Sequence, residues 1–367
     1  MILRNKPEYL YVHVPFCASI CAYCDFAHTV YRSASVRLWL DALKKEIEAK
    51  QIRRDLKTIY IGGGTPTSLS YDEFRELLQM LSPYSAHVIE YTCEVNPETM
   101  DTQKAELMAE YGINRISIGY QCSQPELLKL LGRHHSAETV EETMKVFASC
   151  GIDNISLDLM YSLPTQTMDM LKESVEKAIA MNPDHLSLYS LTVEENTVFY
   201  KKHLSSLDED TEADMYEYIC SYLPKRGYEQ YEISNFAKQG RQSLHNRAYW
   251  TYRDFAGISC GASGKEGMRR YDHTRSLKEY INDPLKTEDI LLSKEDAMFE
   301  MVMMNLRLVE GMSLNLFEET FGVSFEDAFR GRYEEMIERK LLRISDGMIA
   351  CTKKGYPILN DILSDLL

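Results

Sequence analysis

The sequence predicts an α/β protein: a partial (β/α)6 barrel followed by a smaller, mainly helical C-terminal domain. Three observations carry this expectation. Six short β-rich runs alternate with helix-period stretches over the first 235 residues, the texture changes after Ser234, and the chain from about Ser293 reads as helix. At 367 residues the chain also exceeds the ~250–300 at which one hydrophobic core stops growing, so a large domain with a smaller one is expected.

The elements follow in order. YLYVHV (Tyr9–Val14) reads as a strand and SVRLWLDALKKEIEAK (Ser35–Lys50) as an amphipathic helix. TIYIGGG (Thr58–Gly64) precedes a helix over Tyr71–Leu81, and HVIEYTCEVNP (His87–Pro97) one over Thr102–Tyr111. RISIGYQ (Arg115–Gln121), ISLDLMY (Ile155–Tyr161) and HLSLYSL (His185–Leu191) continue the beat, with helices over Ala137–Cys150 and Met168–Met181. These runs read as continuously apolar strands of a parallel sheet covered by helices, and crossovers in simple succession favour a barrel. The acidic run Asp208–Asp214 reads as a solvated helix start, and the methionines of EMVMMNL as core packing. The expected division is 1–235 for the barrel, 236–290 for a glycine- and aromatic-rich extension, and 291–367 for the helical C-terminal domain.

Composition excludes several classes. No apolar run approaches the ~20 residues of a membrane span, and the N-terminus shows no secretory leader. Charge is 41 minus 56, or −15, which repels phosphate backbones and makes nucleic acid a poor partner. Nine cysteines, an odd number, argue against a disulfide framework and fit a reducing cytoplasm.

Six of the nine are scattered singly and read as buried small hydrophobes. The other three, Cys17, Cys21 and Cys24, are spaced C-x3-C-x2-C directly after the first strand. Three thiolates from one loop hold a sulfur-loving metal, either zinc or an iron–sulfur cluster. A closed zinc site lacks its second Cys pair here, and His28 is the best fourth ligand in sight. Three ligands on a four-iron cluster leave one iron open to the amino and carboxylate groups of S-adenosylmethionine (SAM). Polar residues at successive strand ends support such a site: GGGTPT (Gly62–Thr67) after the second strand, then Glu94, Gln121 and Asp158. Glycines there suit close approach of backbone amides to a carboxylate or amine.

The C-x3-C-x2-C pattern with Tyr23 before its last cysteine resembles the radical SAM superfamily. YVHVPFC, GGGTPT, EVNP, RISIGYQ, LGRHH, DLMYSLPTQT, YEISNFA and HNRAYW extend the resemblance over nearly the whole length, to the coproporphyrinogen-dehydrogenase-like branch. The resemblance implies a radical SAM barrel in which Cys17, Cys21 and Cys24 ligate a 4Fe–4S cluster. It also implies that Tyr11, Gly63, Gly64, Thr65, Glu94, Gln121, Arg133 and Asp158 bind SAM. Dehydrogenases of this branch carry a further cysteine two residues after the third and a longer N-terminal extension. Phe26 stands at that cysteine's place, and the first strand begins near residue 9.

Both departures, with His245-Asn246-Arg247-Ala248-Tyr249-Trp250 as the positive mark, point to the heme-chaperone members of the branch. Their implied role is to bind cluster, SAM and heme in the cytoplasm and deliver heme to acceptor apoproteins such as respiratory cytochromes. His245 is the expected heme ligand, against a reading in which the histidine only pins a loop. Two further departures from the branch are Ser263, where a histidine is usual, and Ser162, where glycine is common. His134 and His135 are adjacent and read as surface or substrate-site residues rather than joint ligands. No residue is assigned a catalytic role. The alternative function is an oxygen-independent coproporphyrinogen III oxidase, and a homodimer is compatible with the sequence without being required by it.

Overall fold

A computed structural model describes residues 6–367; residues 1–5, the start of the segment read as lacking a leader, lie outside the described residues. Six parallel strands run in sequence order: β1 (Tyr9–Val14), β2 (Thr58–Gly63), β3 (Glu90–Val95), β4 (Arg115–Gln121), β5 (Asn154–Tyr161) and β6 (His185–Ser190). Antiparallel β7 (Glu229–Gln230) and β8 (Asn235–Ala237) extend the sheet beyond β6, and parallel β9 (Ala256–Ile258) extends it beyond β1. The sheet order is β9-β1-β2-β3-β4-β5-β6-β8-β7, an open arc rather than a closed ring.

Helices α1 (Ser33–Lys50), α2 (Tyr71–Leu81), α3 (Thr102–Glu110), α4 (Pro125–Leu131), α5 (Ala137–Ser149) and α6 (Met168–Ala180) connect the strands, and α7 (Glu209–Tyr222) follows β6. Their starts are set by local chemistry. Ser70 and Ser136 close capping boxes, while Asp101, Thr167 and Asp208 accept the N3 amide of α3, α6 and α7. Asp208 with Glu209, Asp210 and Glu212 in the first turn also suits the positive end of the helix dipole.

The strands are not apolar throughout. Val12, Ile59, Cys93, Ile116, Leu157 and Leu186 belong to the helix-covered core, each worth roughly 1.5–3 kcal/mol of burial if large and aliphatic. Alternate residues on the other face are polar: Tyr60, Glu94, Arg115, Ser117, Asp158, Ser187 and Tyr189 line a cavity. A packed barrel would put branched side chains there. The polar period-2 pattern is the mark of a hollow one.

Beyond the arc, Ser263–Glu266, Arg269–His273 and Thr287–Leu291 form an antiparallel sheet. Buried Glu46 of α1 fastens this stretch: it accepts from the Ser259 amide (2.9 Å) and Tyr280 hydroxyl (2.6 Å), and pairs with Lys50 (3.0 Å) and His273 (2.9 Å). From Lys294 onward, five short helices enclose a second core built on Met301, Phe317, Phe325, Ile349 and Ile362. That region also holds a three-stranded sheet (Met312–Ser313, Leu342–Ser345, Met348–Cys351) whose strands of two to four residues leave no periodic signal in the sequence. No helix among the described residues is long and apolar enough to cross a membrane.

Candidate functional site

A cavity of about 500 Å³ opens at the C-terminal ends of the parallel strands. Cys17, Cys21 and Cys24 line it together with Gly63, Gly64, Thr65, Glu94, Gln121, Arg133 and Asp158. Phe16–Cys17 pairs with Thr29–Val30 and closes the base of the cysteine loop. The loop is tied on both sides at Ala22, whose amide donates to Leu131 O (2.9 Å) and whose carbonyl accepts from Phe199 N (3.0 Å).

Each thiol sits beside a polar side chain. Thr65 Oγ1 is 3.7 Å from Cys17 Sγ, Arg133 Nη1 3.6 Å from Cys21 Sγ, and His28 Nδ1 3.7 Å from Cys24 Sγ. Burial pushes the Cys17 and Cys24 thiols up to about 11; a coordinating metal deprotonates such a group outright. Among the described residues no three His, Cys, Asp or Glu side chains converge on a point that holds a single ion. Gln121 Oε1 and Arg133 Nε are buried and have no partner among the described residues, polar atoms available to a ligand. Gln121 is held there at φ 57°, where the β4–β5 register shifts between Gly119 and Gln121.

Two carboxylates face the same space. Glu94 accepts from Tyr60 Oη (2.8 Å) and Gly63 N (2.9 Å), yet burial pushes it up to about 7. Asp158 accepts from Ser117 Oγ (2.8 Å) and is also raised by burial. A cationic ligand would restore the charge of both.

The glycine segment works differently from the expectation. The amides of Gly63, Gly64 and Thr65 are already taken, by Glu94, Val14 O (2.8 Å) and Phe16 O (2.7 Å). The glycines make room instead: a Cβ on Gly62 would meet the Glu94 carboxylate at 2.7 Å, and one on Gly63, at φ 106°, the His13 ring at 2.3 Å.

Tyr11 and His245 do not line the cavity. Tyr11 lies in the deeper row with Tyr60, and its hydroxyl is 3.0 Å from His13 Nδ1. His13 Nε2 donates to Ala27 O (2.7 Å), so Nδ1 accepts from Tyr11. His245 lies on helix α8 (Leu244–Trp250) and is 1% exposed. Both its ring nitrogens are engaged, Nδ1 with Thr58 Oγ1 (2.6 Å) and Nε2 with Tyr249 Oη (2.7 Å), and burial lowers it to about 3. With both nitrogens engaged, the ring fastens the helix to β2, and it packs on Tyr60 of the cavity lining at 5.1 Å between ring centroids. Glu90 secures the same helix through Ser243 Oγ and the amides of Leu244 and His245.

The neighbouring Asn246 does reach the cavity, as do Tyr60, Arg115, Ser117 and Tyr189, which the sequence reading passed over. Arg115 is 2% exposed and its Nε lacks a partner among the described residues; burial opposes its charge, and Glu90, Tyr60, Tyr231 and Asp158 sustain it. Strand alternation was the available signal for Tyr60, Arg115 and Ser117. His134 and His135 present their amides to Glu98 Oε1 (2.6 and 3.0 Å), and His135, expected at the surface or substrate site, is buried with its Nε2 3.1 Å from Tyr120 O. Ser263 and Cys260 also lie outside the lining; Cys260 is fully buried and donates to Thr274 O.

An arc of parallel strands with a three-thiol loop at its mouth defines a radical SAM protein. The Radical SAM superfamily model matches residues 11–178, and the HemN C-terminal domain model residues 292–358. The chain belongs to the HemW family within that superfamily, which implies a 4Fe–4S cluster and SAM. It is 36% identical to the heme chaperone HemW of Lactococcus lactis, over 100% of this chain and 98% of the relative, and 35% identical to that of Escherichia coli, over 99% and 98%. The solved coproporphyrinogen III oxidase (HemN) from Escherichia coli superimposes with a TM-score of 0.87 over 99% of this chain and 91% of that one; at 22% identity the likeness is one of fold.

Proposed function

We propose that the protein is a cytoplasmic heme chaperone that passes heme to acceptor apoproteins such as respiratory cytochromes. The observation that carries this reading is the full-length identity with relatives named heme chaperones. Phe26 supports it: it is 68% exposed at the place where the oxidases of the branch have a cysteine.

Cys17, Cys21 and Cys24 are the residues that would hold the cluster. When bound, the cluster supplies an open iron for the SAM amino and carboxylate groups and a source of single electrons. The chain's own part is to orient the nucleoside. Glu94 and Asp158 accept from amine and ribose hydroxyl donors, Gln121 offers its unpaired amide oxygen, and Arg133 keeps Nε for a carboxylate while Nη1 stays at Cys21.

The test is an anaerobic heme titration of cluster-reconstituted protein, followed by mixing with an apocytochrome. The expected result is saturable, near-stoichiometric binding and a matched gain of holocytochrome. Absence of saturable binding, with coproporphyrinogen consumed as methionine and 5′-deoxyadenosine accumulate, would place the protein among the oxidases instead.

A further inference from the structure

The cysteine loop lines a second space, a cleft of about 290 Å³ shared with Asn196–Val198 and Arg275. Its rim carries three exposed apolar side chains, Phe26 at 68%, Ile20 at 41% and Val198 at 39%. Single exposed hydrophobes are ordinary, but several around one cleft mark a binding surface. Phe26 and Ile20 stand between this cleft and the barrel cavity and line both, while Val198 and Arg275 line the cleft alone.

His28 lines both this cleft and the barrel cavity. Its Nδ1 faces Cys24 Sγ at 3.7 Å, and its Nε2 makes no hydrogen bond among the described residues. No other described histidine lines either space, and the His245, His13 and His185 rings are held at both nitrogens. Arg275 lies on the same cleft, 60% exposed, with its guanidinium shared by the Asp25 carboxylate at 3.3 Å. The remaining N–H donors of that fork are free for a second carboxylate.

An imidazole nitrogen, an apolar rim and a cation at one cleft match the three demands of heme: an axial ligand, a face for the macrocycle, and a partner for a propionate. We propose that this cleft is the heme-docking site, with His28 Nε2 as axial ligand, Phe26, Ile20 and Val198 against the macrocycle, and Arg275 toward a propionate. This rests on the heme-chaperone reading and gives it a place on the molecule. The cleft is too small to enclose a tetrapyrrole, so an edge stays exposed, as hand-off to an acceptor requires.

The experiment is an anaerobic hemin titration, followed in the Soret region, of cluster-reconstituted wild type, His28→Ala, Phe26→Asp and Arg275→Glu. Iron and sulfide are counted in each. Wild type is expected to saturate with the spectrum of a histidine-ligated heme. His28→Ala and Phe26→Asp are each expected to bind at least tenfold more weakly, and added imidazole to restore the His28→Ala spectrum. Wild-type affinity and spectrum in both variants, with wild type itself saturable, would overturn the site and leave the chaperone reading standing. Failure of wild type to bind would overturn both. If His28→Ala or Phe26→Asp loses cluster iron, Arg275→Glu, which lies on the cleft but outside the cavity lined by all three cysteines, decides the matter by the same tenfold loss of affinity.

Discussion

Arg133 Nη1 lies 3.6 Å from Cys21 Sγ, with Nη2 on Gly119 O at 3.2 Å holding the guanidinium in place. The two residues are far apart in sequence and meet only because α4 returns the chain to the barrel mouth. Hydrogen bonds to ligating sulfur stabilise the more negative, reduced state of an iron–sulfur cluster and so raise its potential. Arg133→Met, which keeps bulk and removes the donors, is expected to lower the midpoint potential. A tenfold change in the reduced fraction corresponds to about 59 mV for one electron. An anaerobic redox titration read by electron paramagnetic resonance, without SAM, checks this. An unchanged potential with the cluster fully loaded would show that the contact does not persist in the loaded protein.

The Glu94 carboxyl, pushed up to about 7 by burial, makes SAM binding proton-linked. A ligand cation beside it favours the charged form and lowers its pKa in the complex. Affinity is therefore full above pH 7 and falls as pH drops below 7, by up to about tenfold per unit until the lower pKa of the complex is reached. Equilibrium dialysis across pH 5.5–8.5 should show this slope, and Glu94→Gln should flatten it. Tyr60→Phe removes the hydroxyl that favours the carboxylate and should move the midpoint upward.

His245→Ala should act on stability, not on heme. The substitution leaves a hole in a buried site and strands the hydroxyls of Thr58 and Tyr249. The expected cost is about 3 kcal/mol, measured as a shift in the urea midpoint at constant slope. The folded variant should titrate with heme as wild type does. Loss of heme affinity without loss of stability would return His245 to the list of ligands.

How much of this was readable in advance depends on the range of the interaction. The six strands and the cysteine triplet are local, so periodicity and spacing carried them: the helix expected over Tyr71–Leu81 begins and ends there. What eluded the sequence is non-local. His245 became a structural pin because Thr58, 187 residues away, meets its Nδ1, and no spacing rule reports that. The hollow interior was legible and misread: YLYVHV and RISIGYQ alternate polar and apolar residues, but the density of Ile, Leu and Val suggested burial on both faces. The amides of Gly63, Gly64 and Thr65 read as free because their acceptors, on β3, β1 and the cysteine loop, are not visible from GGGTPT.

Gly62 separates the two explanations of that motif. If its role were to offer backbone to the ligand, alanine at a compatible φ would cost little. The structure instead places the Glu94 Cδ and both carboxylate oxygens at 2.7–2.8 Å from any Cβ at this position. Real Cβ atoms do not approach that closely, so Gly62→Ala must displace the carboxylate from Tyr60 and the Gly63 amide. The cysteine loop is untouched by this change, so iron and sulfide content should match wild type. SAM affinity should fall by at least tenfold, and the pH dependence described for Glu94 should be lost along with it, because the displaced carboxylate no longer faces the ligand. Calorimetric titration with SAM on the loaded variant at pH 6.5 and 8 reads both quantities. Retained affinity with a retained pH slope would mean that Glu94 can be moved without consequence, which its two hydrogen bonds and its burial argue against.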